Sequence, residues 1–230
     1  METSGLKLVV FDTETSGLDE DSVPVEIAYV ELREEAGEWV RENEFLSKIN
    51  ELGEDGVISD GAGGKHQITK EELDGEPRMS EIPWPEGPII FVSHNTKFDR
   101  RFFARYVDIR AELCTFLLSR RFDPESESHK LTTLAYRYGL PVELAHRALG
   151  DARSAASILT YYFEETGWSL DQMLKFYNTP FVHKTMMFGK HKGLPMDEVP
   201  FGYLGWLSQL DDLDRDMRAT VNEYLKRGVR

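Results

Sequence analysis

The amino-acid sequence predicts an α/β domain with a mixed central sheet flanked by helices, followed by a small C-terminal helical extension. Three observations lead to this prediction. Apolar strand-like runs fill the first part of the chain, strands and helical patterns then alternate, and the pattern changes near Trp168. Strands followed by alternating strands and helices are typical of a layered domain whose sheet mixes parallel and antiparallel pairs.

The predicted strands are apolar runs rich in β-branched and aromatic residues. They cover residues 6–12, 25–32, 39–49 and 89–92. The segment 53–65 is rich in glycine and aspartate, so we expect it to be a loop.

Helical periodicity begins after the last predicted strand. The predicted helices are 97–106, 132–138, 151–165, 169–177, 203–209 and 214–226. Because short, aromatic and basic segments replace the longer helices beyond Trp168, we place a first domain at 1–168 and a C-terminal module at 169–230.

Composition points to a cytoplasmic protein without membrane contact. The lone cysteine, Cys114, excludes an internal disulfide and fits a reducing compartment. No segment of the sequence reaches the roughly 18 uncharged apolar residues of a membrane helix. The first residues, METSGLKLVVFD, lack the apolar core of a signal peptide.

Two carboxylates, Asp12 and Glu14, occur in FDTETSGL at the end of the first predicted strand. Residues i and i+2 of a strand project from the same face, so these side chains are expected side by side. Paired carboxylates repel each other unless a cation lies between them, and hard oxygen ligands suit Mg²⁺ or Mn²⁺. An acidic strand end leading into a turn is the alternative interpretation.

Three further polar residues lie near the starts of predicted helices. Asp99, in SHNTKFDRRFF, falls in a first helical turn, where an acid also complements the helix dipole. His146 lies five residues before Asp151 in HRALGDARSAASIL. Taken separately, an ordinary loop histidine and a helix cap would explain His146 and Asp151.

Together, FDTET, HNxxFD and HRALxDA resemble, in this order, the three motifs of the DEDDh 3′–5′ exonucleases, which include polymerase proofreading subunits and several ribonucleases. Histidine five residues before the last aspartate marks this branch, whereas the sister branch has tyrosine where this chain has Arg147. The segment GKHQIT matches a short histidine motif of the family. The resemblance implies a ribonuclease H-like fold.

The resemblance also implies a mechanism. It assigns Asp12, Glu14, Asp99 and Asp151 to two divalent cations, Mg²⁺ with Mn²⁺ as a substitute, and makes His146 the general base. A metal pair about 3.5–4 Å apart lowers the pKa of an attacking water and stabilises the leaving 3′ oxygen. The histidine needs a pKa near the working pH. The expected product is a nucleoside 5′-monophosphate.

By the same resemblance, six residues are expected to contact the substrate: Thr13, Thr15, Leu18, His66, Asn95 and Phe98. The first three would line the pocket of the terminal nucleotide, and the others would flank the penultimate nucleotide or its phosphate. Core packing is the alternative for Leu18 and Phe98. Apolar side chains stack on any base, so we expect little base specificity.

The C-terminal segments TGWSLDQM, MMFGKHKG and GYLGWLSQL resemble the extension of the exodeoxyribonuclease X subfamily, which favours DNA over RNA as the substrate. Here Lys184, Lys190, His191 and Lys192 form a basic cluster flanked by aromatic residues. The cluster predicts a phosphate contact for a second strand or a downstream duplex. A solvated turn between small elements is the alternative.

The charge distribution sets a limit on how the chain holds nucleic acid. Residues 1–179 contain 19 Lys and Arg against 34 Asp and Glu, whereas residues 180–230 contain 8 against 7. An extended grip on phosphates needs a basic surface. We therefore expect weak, salt-sensitive binding and distributive action on 3′ ends.

Three other functions are compatible with parts of this pattern. A DEDDh exoribonuclease acting on RNA ends would have the same catalytic residues. A catalytically silent nucleic-acid-binding module is disfavoured because all five catalytic positions are present. A hydrolase of nucleoside triphosphates or small phosphodiesters could use the same metal pair.

Overall fold

The computed structural model describes residues 6–228, which group into two compact units. Within this range, the first unit contains residues 6–116 and 130–174, and the second contains residues 117–129 and 175–228. The domain boundary between residues 168 and 169 stays a prediction. The outer ends of the two predicted domains, and the start of the predicted N-terminal segment METSGLKLVVFD, lie outside the described residues.

The first unit is built on a five-stranded sheet of order β3-β2-β1-β4-β5. The strands are Lys7–Thr15 (β1), Pro24–Glu35 (β2), Glu38–Lys48 (β3), Pro88–Ser93 (β4) and Asp108–Cys114 (β5). The pairs β1–β2 and β2–β3 are antiparallel, whereas β1–β4 and β4–β5 are parallel. The prediction of a mixed sheet in an α/β fold is therefore confirmed.

Helices account for most of the remaining regular structure. The α-helices of residues 6–228 are Asp60–His66 (α1), Thr96–Phe103 (α2), Thr115–Phe122 (α3), Leu131–Arg137 (α4), Ala148–Thr166 (α5), Leu170–Asn178 (α6), Phe201–Leu207 (α7) and Arg215–Gly228 (α8). Across the described range, no helix combines the length and the apolar character that a bilayer crossing requires. The cytoplasmic location stays a prediction.

The central strand β1 separates two packing layers. Val9 and Phe11 belong to a buried cluster with Phe103 of α2, and the Phe11 ring stacks on that of Phe91 at 4.8 Å. Successive residues of a strand face opposite sides of the sheet. Val10 therefore faces away from this cluster, and α5 also packs against β1 and β2.

The predicted loop at 53–65 is wrong in its second part, because α1 begins at Asp60. The Ser59 side chain accepts a hydrogen bond from the backbone N–H of Ala62, and a left-handed residue, Gln67, ends the helix. Capping at the N-terminus and burial of His66 outweigh the low helix propensity of the three glycines in this segment.

Two elements were not predicted, and one helix begins earlier than expected. The strand β5 escaped prediction because it alternates polar and apolar residues and buries only its last two, Leu113 and Cys114. The helix α3 follows it directly and was also missed. Arg147 is the N-cap residue of helix α5, which begins at Ala148, so the interpretation of Asp151 as a helix cap is wrong.

The second unit has its own hydrophobic core. Its buried members are Met186, Met187, Met196, Val199, Leu204, Leu207, Leu213, Met217 and Val221. The helices α7 and α8 contact each other, close to the predicted helices 203–209 and 214–226. The unit also contains a buried ion pair, in which the Arg121 guanidinium lies 2.6 Å from the Asp216 carboxylate.

Candidate active site

The strand β1 presents two carboxylates on one face. Asp12 lies opposite Ala28 of β2, and Glu14 lies opposite Glu26. The register of the β1–β2 pair shifts directly after Glu14, between Glu14 and Thr15. Such irregularities bend a strand and redirect its side chains, and they are frequent beside active sites.

Four carboxylates interact electrostatically at this position. Burial raises the pKa of Asp12 well above its ordinary value, and the charges of Asp99, Asp151 and Glu14 raise it further. Burial also raises the pKa of Glu14 to about 7, with added repulsion from Asp151. Asp99 lies in the first turn of α2, where burial raises its pKa to about 7. The four acids predicted to share a site are therefore brought together.

His146 joins this group from the loop before α5. One ligand atom from each of Glu14, His146 and Asp151 can be chosen so that all three atoms lie within 4.8 Å of one another. The backbone N–H of His146 donates to the Asp151 carboxylate over 3.1 Å. His146 is exposed and has a left-handed backbone, with φ of 60°. Its side chain thus lies open to solvent beside the carboxylates.

The donor set fits divalent cations. Crowded, partly buried carboxylates with raised pKa values hold unfavourable negative charge, which a divalent cation would neutralise. Carboxylate oxygens are hard ligands that suit Mg²⁺ and Mn²⁺. The site therefore offers the oxygen ligands that such ions prefer, and their positive charge would relieve the repulsion between its carboxylates.

An ion pair between a buried acid, Glu26, and the partly exposed Arg147 was not predicted from the sequence. Glu26 of β2 is fully buried, and its carboxylate accepts hydrogen bonds from the Arg147 guanidinium and from the backbone N–H of Ala148. The available signal was a single acid, Glu26, at the start of the otherwise apolar run VEIAYV. Its partner is 121 positions away, so the sequence did not reveal the pair.

Three predicted substrate residues support one another beneath the site. Thr13 donates to the Glu26 carbonyl oxygen over 3.1 Å, and Thr15 donates to the Gly17 carbonyl oxygen over 2.6 Å. The His66 ring is buried: Nδ1 accepts from the backbone N–H of Ile68, and Nε2 lies 3.2 Å from the Thr15 carbonyl oxygen. His66 thus holds the end of β1, and its substrate contact stays a prediction.

The other three predicted contact residues are accessible. The Leu18 side chain is 76% exposed, so core packing does not explain it. Asn95 is exposed just before α2, and Phe98 is half-buried, with the Arg101 guanidinium 4.5 Å from its ring centre. Their contacts with a nucleotide stay predictions.

The chain also matches known proteins in sequence. The profile of the family described as Exonuclease matches residues 9–159. Exodeoxyribonuclease 10 of Escherichia coli strain K12 is 31% identical over 229 residues, covering 95% of this chain and 99% of that protein.

Solved structures extend the agreement to the fold. The structure of Exonuclease X in complex with 5′ overhanging duplex DNA is 27% identical, with a TM-score of 0.59 over 74% of this chain and 99% of that one. The nuclease domain of 3′hExo, a DEDDh family member bound to rAMP, is 15% identical and shares the fold, with a TM-score of 0.52 over 70% of this chain and 94% of that one. The chain therefore belongs to the exonuclease family, as a DEDDh-type 3′–5′ exonuclease that acts on nucleic acid.

Proposed function

We propose that the chain removes nucleotides from the 3′ end of DNA, with two Mg²⁺ or Mn²⁺ ions held by Asp12, Glu14, Asp99 and Asp151. The observation that carries this proposal is the cluster of four mutually repelling carboxylates beside the exposed His146. Enzymes of the DEDDh type use divalent metal ions, and the donor set described above fits them.

In the proposed reaction, each group of the chain has one task. The His146 imidazole accepts the proton of a water molecule whose oxygen adds to the terminal phosphorus. The bond from phosphorus to the 3′ oxygen of the penultimate nucleotide breaks, and a nucleoside 5′-monophosphate leaves. When bound, the cations supply positive charge that neutralises the carboxylates and stabilises the transition state. Asp151 accepts a hydrogen bond from the His146 backbone and so holds the base nearby.

The proposed substrate contacts involve both exposed and buried residues. Leu18 is exposed enough to stack against the terminal base, whereas Thr13 and Thr15, which alternate with the carboxylates along β1, are buried. Asn95 and Phe98, at the start of α2, are accessible for contacts with the penultimate nucleotide or its phosphate. His66 supports this pocket through the Thr15 carbonyl oxygen, which it contacts at 3.2 Å.

Two relatives that match most of the chain favour DNA over RNA as the substrate. The relative matched over 95% of this chain is named as an exodeoxyribonuclease. The solved structure at 27% identity contains a DNA duplex with a 5′ overhang. These names describe those proteins, and they support the same substrate class here.

The proposal is tested with 5′-labelled single-stranded DNA and RNA oligomers of equal sequence, incubated with Mg²⁺, Mn²⁺ or EDTA. We expect a metal-dependent ladder that shortens from the 3′ end, faster on DNA, and lost in Asp12→Ala and His146→Ala. Asp21→Ala removes an exposed acid outside the site and serves as the matched control. Faster degradation of RNA would reject the substrate assignment, and full activity of Asp12→Ala would reject the site.

A further inference from the structure

We propose that the second unit carries a separate binding surface for single-stranded nucleic acid, formed by Lys190, His191, Tyr203 and Trp206, here called the α7 surface. The inference rests on the proposed action on DNA, because the surface would hold the strand whose end is degraded.

The four side chains of the α7 surface are arranged around one ring. The Tyr203 ring lies 5.3 Å from that of Trp206 and 4.6 Å from that of His191, measured between centres. The Lys190 ammonium nitrogen lies 5.1 Å from the Tyr203 ring centre. A cation and two large aromatic rings therefore occupy the same patch, together with an imidazole.

The exposure of Trp206 is unusual for its residue type. Leu204 and Leu207 of the same helix are buried in the core of the second unit, whereas Trp206 is 52% exposed. Tryptophan is normally well buried, so a half-exposed indole beside other rings marks an interaction surface. One turn earlier, Gly202 has open space above it, since an added Cβ would meet no atom within 4 Å. The groove beside Trp206 has a volume of about 670 Å³.

The backbone that carries Lys190 is fixed against this groove. Gly189 has a φ of +71°, and a Cβ there would lie 2.6 Å from the Tyr203 hydroxyl oxygen. Both the left-handed conformation and the close approach therefore require glycine. The glycine sets the following Lys190 and His191 beside the Tyr203 ring.

The structure also divides the basic cluster found in the sequence. Lys192 donates to the Glu127 carbonyl oxygen over 2.8 Å, so its ammonium group is engaged in holding a neighbouring loop of the unit. The residues that line the groove include Lys190 and His191 but neither Lys192 nor Lys184. Lys190 is exposed and its ammonium nitrogen lies near the Tyr203 ring, so both the phosphate contact and the solvated turn stay predictions for this residue.

This chemistry fits a single strand of nucleic acid. Exposed rings stack on the faces of unpaired bases of any sequence, and a nearby ammonium group contacts phosphate. A duplex hides its base faces, so it would not use the rings. The near balance of charge in residues 180–230, against the acidic remainder, makes this segment the better surface for a polyanion.

The test measures binding by fluorescence anisotropy in EDTA, with labelled oligothymidylates of about 4 and about 20 nucleotides. We expect Trp206→Ala to weaken binding of the longer oligomer by roughly 5- to 100-fold, the cost of losing base stacking. Lys190→Ala should lower the slope of log affinity against log salt by about 0.7. The ratio of the affinities for long and short oligomers should fall in both variants.

Two controls match these changes: Tyr136→Ala removes an 83% exposed ring of the first unit, and Lys226→Ala removes an exposed lysine of α8. Trp206→Tyr should recover part of the affinity, which a purely structural role would not predict. Equal affinities for the long oligomer in wild type and both test variants would overturn the proposal and assign the surface to a protein partner. If the wild-type protein degrades no DNA but the two variants still bind the long oligomer more weakly than wild type, the α7 surface is supported and the proposed function is rejected.

Discussion

The buried Glu26 carboxylate pairs with the partly exposed Arg147 guanidinium, whose Nε atom lies 3.1 Å from both Glu26 carboxylate oxygens. Arg147 directly follows His146, and the Glu26 carboxylate also accepts from Ala148, the first residue of α5, over 2.9 Å. Through these bonds, a strand of the sheet fixes the loop of the proposed base and the start of the helix that carries Asp151.

We therefore expect Arg147→Ala to lower both stability and turnover. The substitution removes the guanidinium partner of the buried Glu26 carboxylate, which keeps only the hydrogen bond from the Ala148 backbone N–H, and such a loss costs about 1–3 kcal/mol. Adding Glu26→Gln should recover part of this loss, because it removes the isolated charge. Thermal denaturation and steady-state kinetics measure both effects, with kcat falling more than KM rises. A double variant less stable than Arg147→Ala would contradict this account.

Asp12→Asn should abolish nuclease activity and yet stabilise the metal-free protein. Its burial and its carboxylate neighbours raise the pKa of Asp12, so the ionised side chain is unfavourable in the fold. Each kcal/mol gained raises Tm by roughly 2–4 °C in a chain of this size. In EDTA the variant should melt above wild type, whereas added Mn²⁺ should raise Tm more in wild type. A lower Tm in EDTA would show that repulsion is not the dominant interaction.

His183 should make the fold acid-sensitive. It is 2% exposed, and neither ring nitrogen has a hydrogen-bond partner among the described residues. Burial and the charge of Arg120 lower its pKa to about 4, against an ordinary value of 6.5. Between these pH values the unfolded chain binds a proton that the folded chain does not. Stability is thus fully present above pH 6.5 and is lost as the pH falls towards 4.

The variant His183→Phe isolates this effect, since the carboxylates of the active site titrate equally in both proteins. Urea denaturation at several pH values should show a stability difference that changes by roughly 1–3 kcal/mol across the window. If the difference in stability between the two proteins did not change with pH, the pKa of His183 would be the same in the folded and unfolded states.

Leu18→Ala should affect catalysis and leave the fold intact. A side chain that is 76% exposed contributes little to the core, so Tm should stay within about 1 °C, as for other surface changes. If Leu18 packs against the terminal base, losing this apolar contact costs about 1–2 kcal/mol, and KM for a DNA oligomer should rise by roughly 5- to 30-fold. Val57→Ala, at a position 77% exposed, is the matched control. Unchanged kinetics would remove Leu18 from the pocket.

Much of the site was predictable because its residues belong to short local motifs. The spacing of Asp12 and Glu14 on one strand fixes their common face whatever the tertiary structure. Asp99 in a first helical turn likewise depends on local sequence. The order of these motifs along the chain then limited the fold to one family.

The rest depends on contacts that sequence patterns do not carry. The segment that forms α1 is rich in glycine, and only the Ser59 cap and the burial of His66 make it helical. The approach of His66 Nε2 to within 3.2 Å of the Thr15 carbonyl oxygen was likewise not visible in its motif, and its substrate contact stays a prediction. Both facts follow from tertiary neighbours rather than from local propensity.

The register shift after Glu14 restricts which length changes the chain can tolerate. Because strand side chains alternate, deleting one residue between Leu8 and Asp12 would shift the pairing of β1 against β2 or turn the two acids towards the aromatic layer of Phe11 and Phe91. The register shift could compensate for an added or removed residue only where that residue lies beyond Glu14. Single-residue insertions and deletions between Leu8 and Glu14 should therefore abolish activity, as a scan of single-codon deletions across these residues would record.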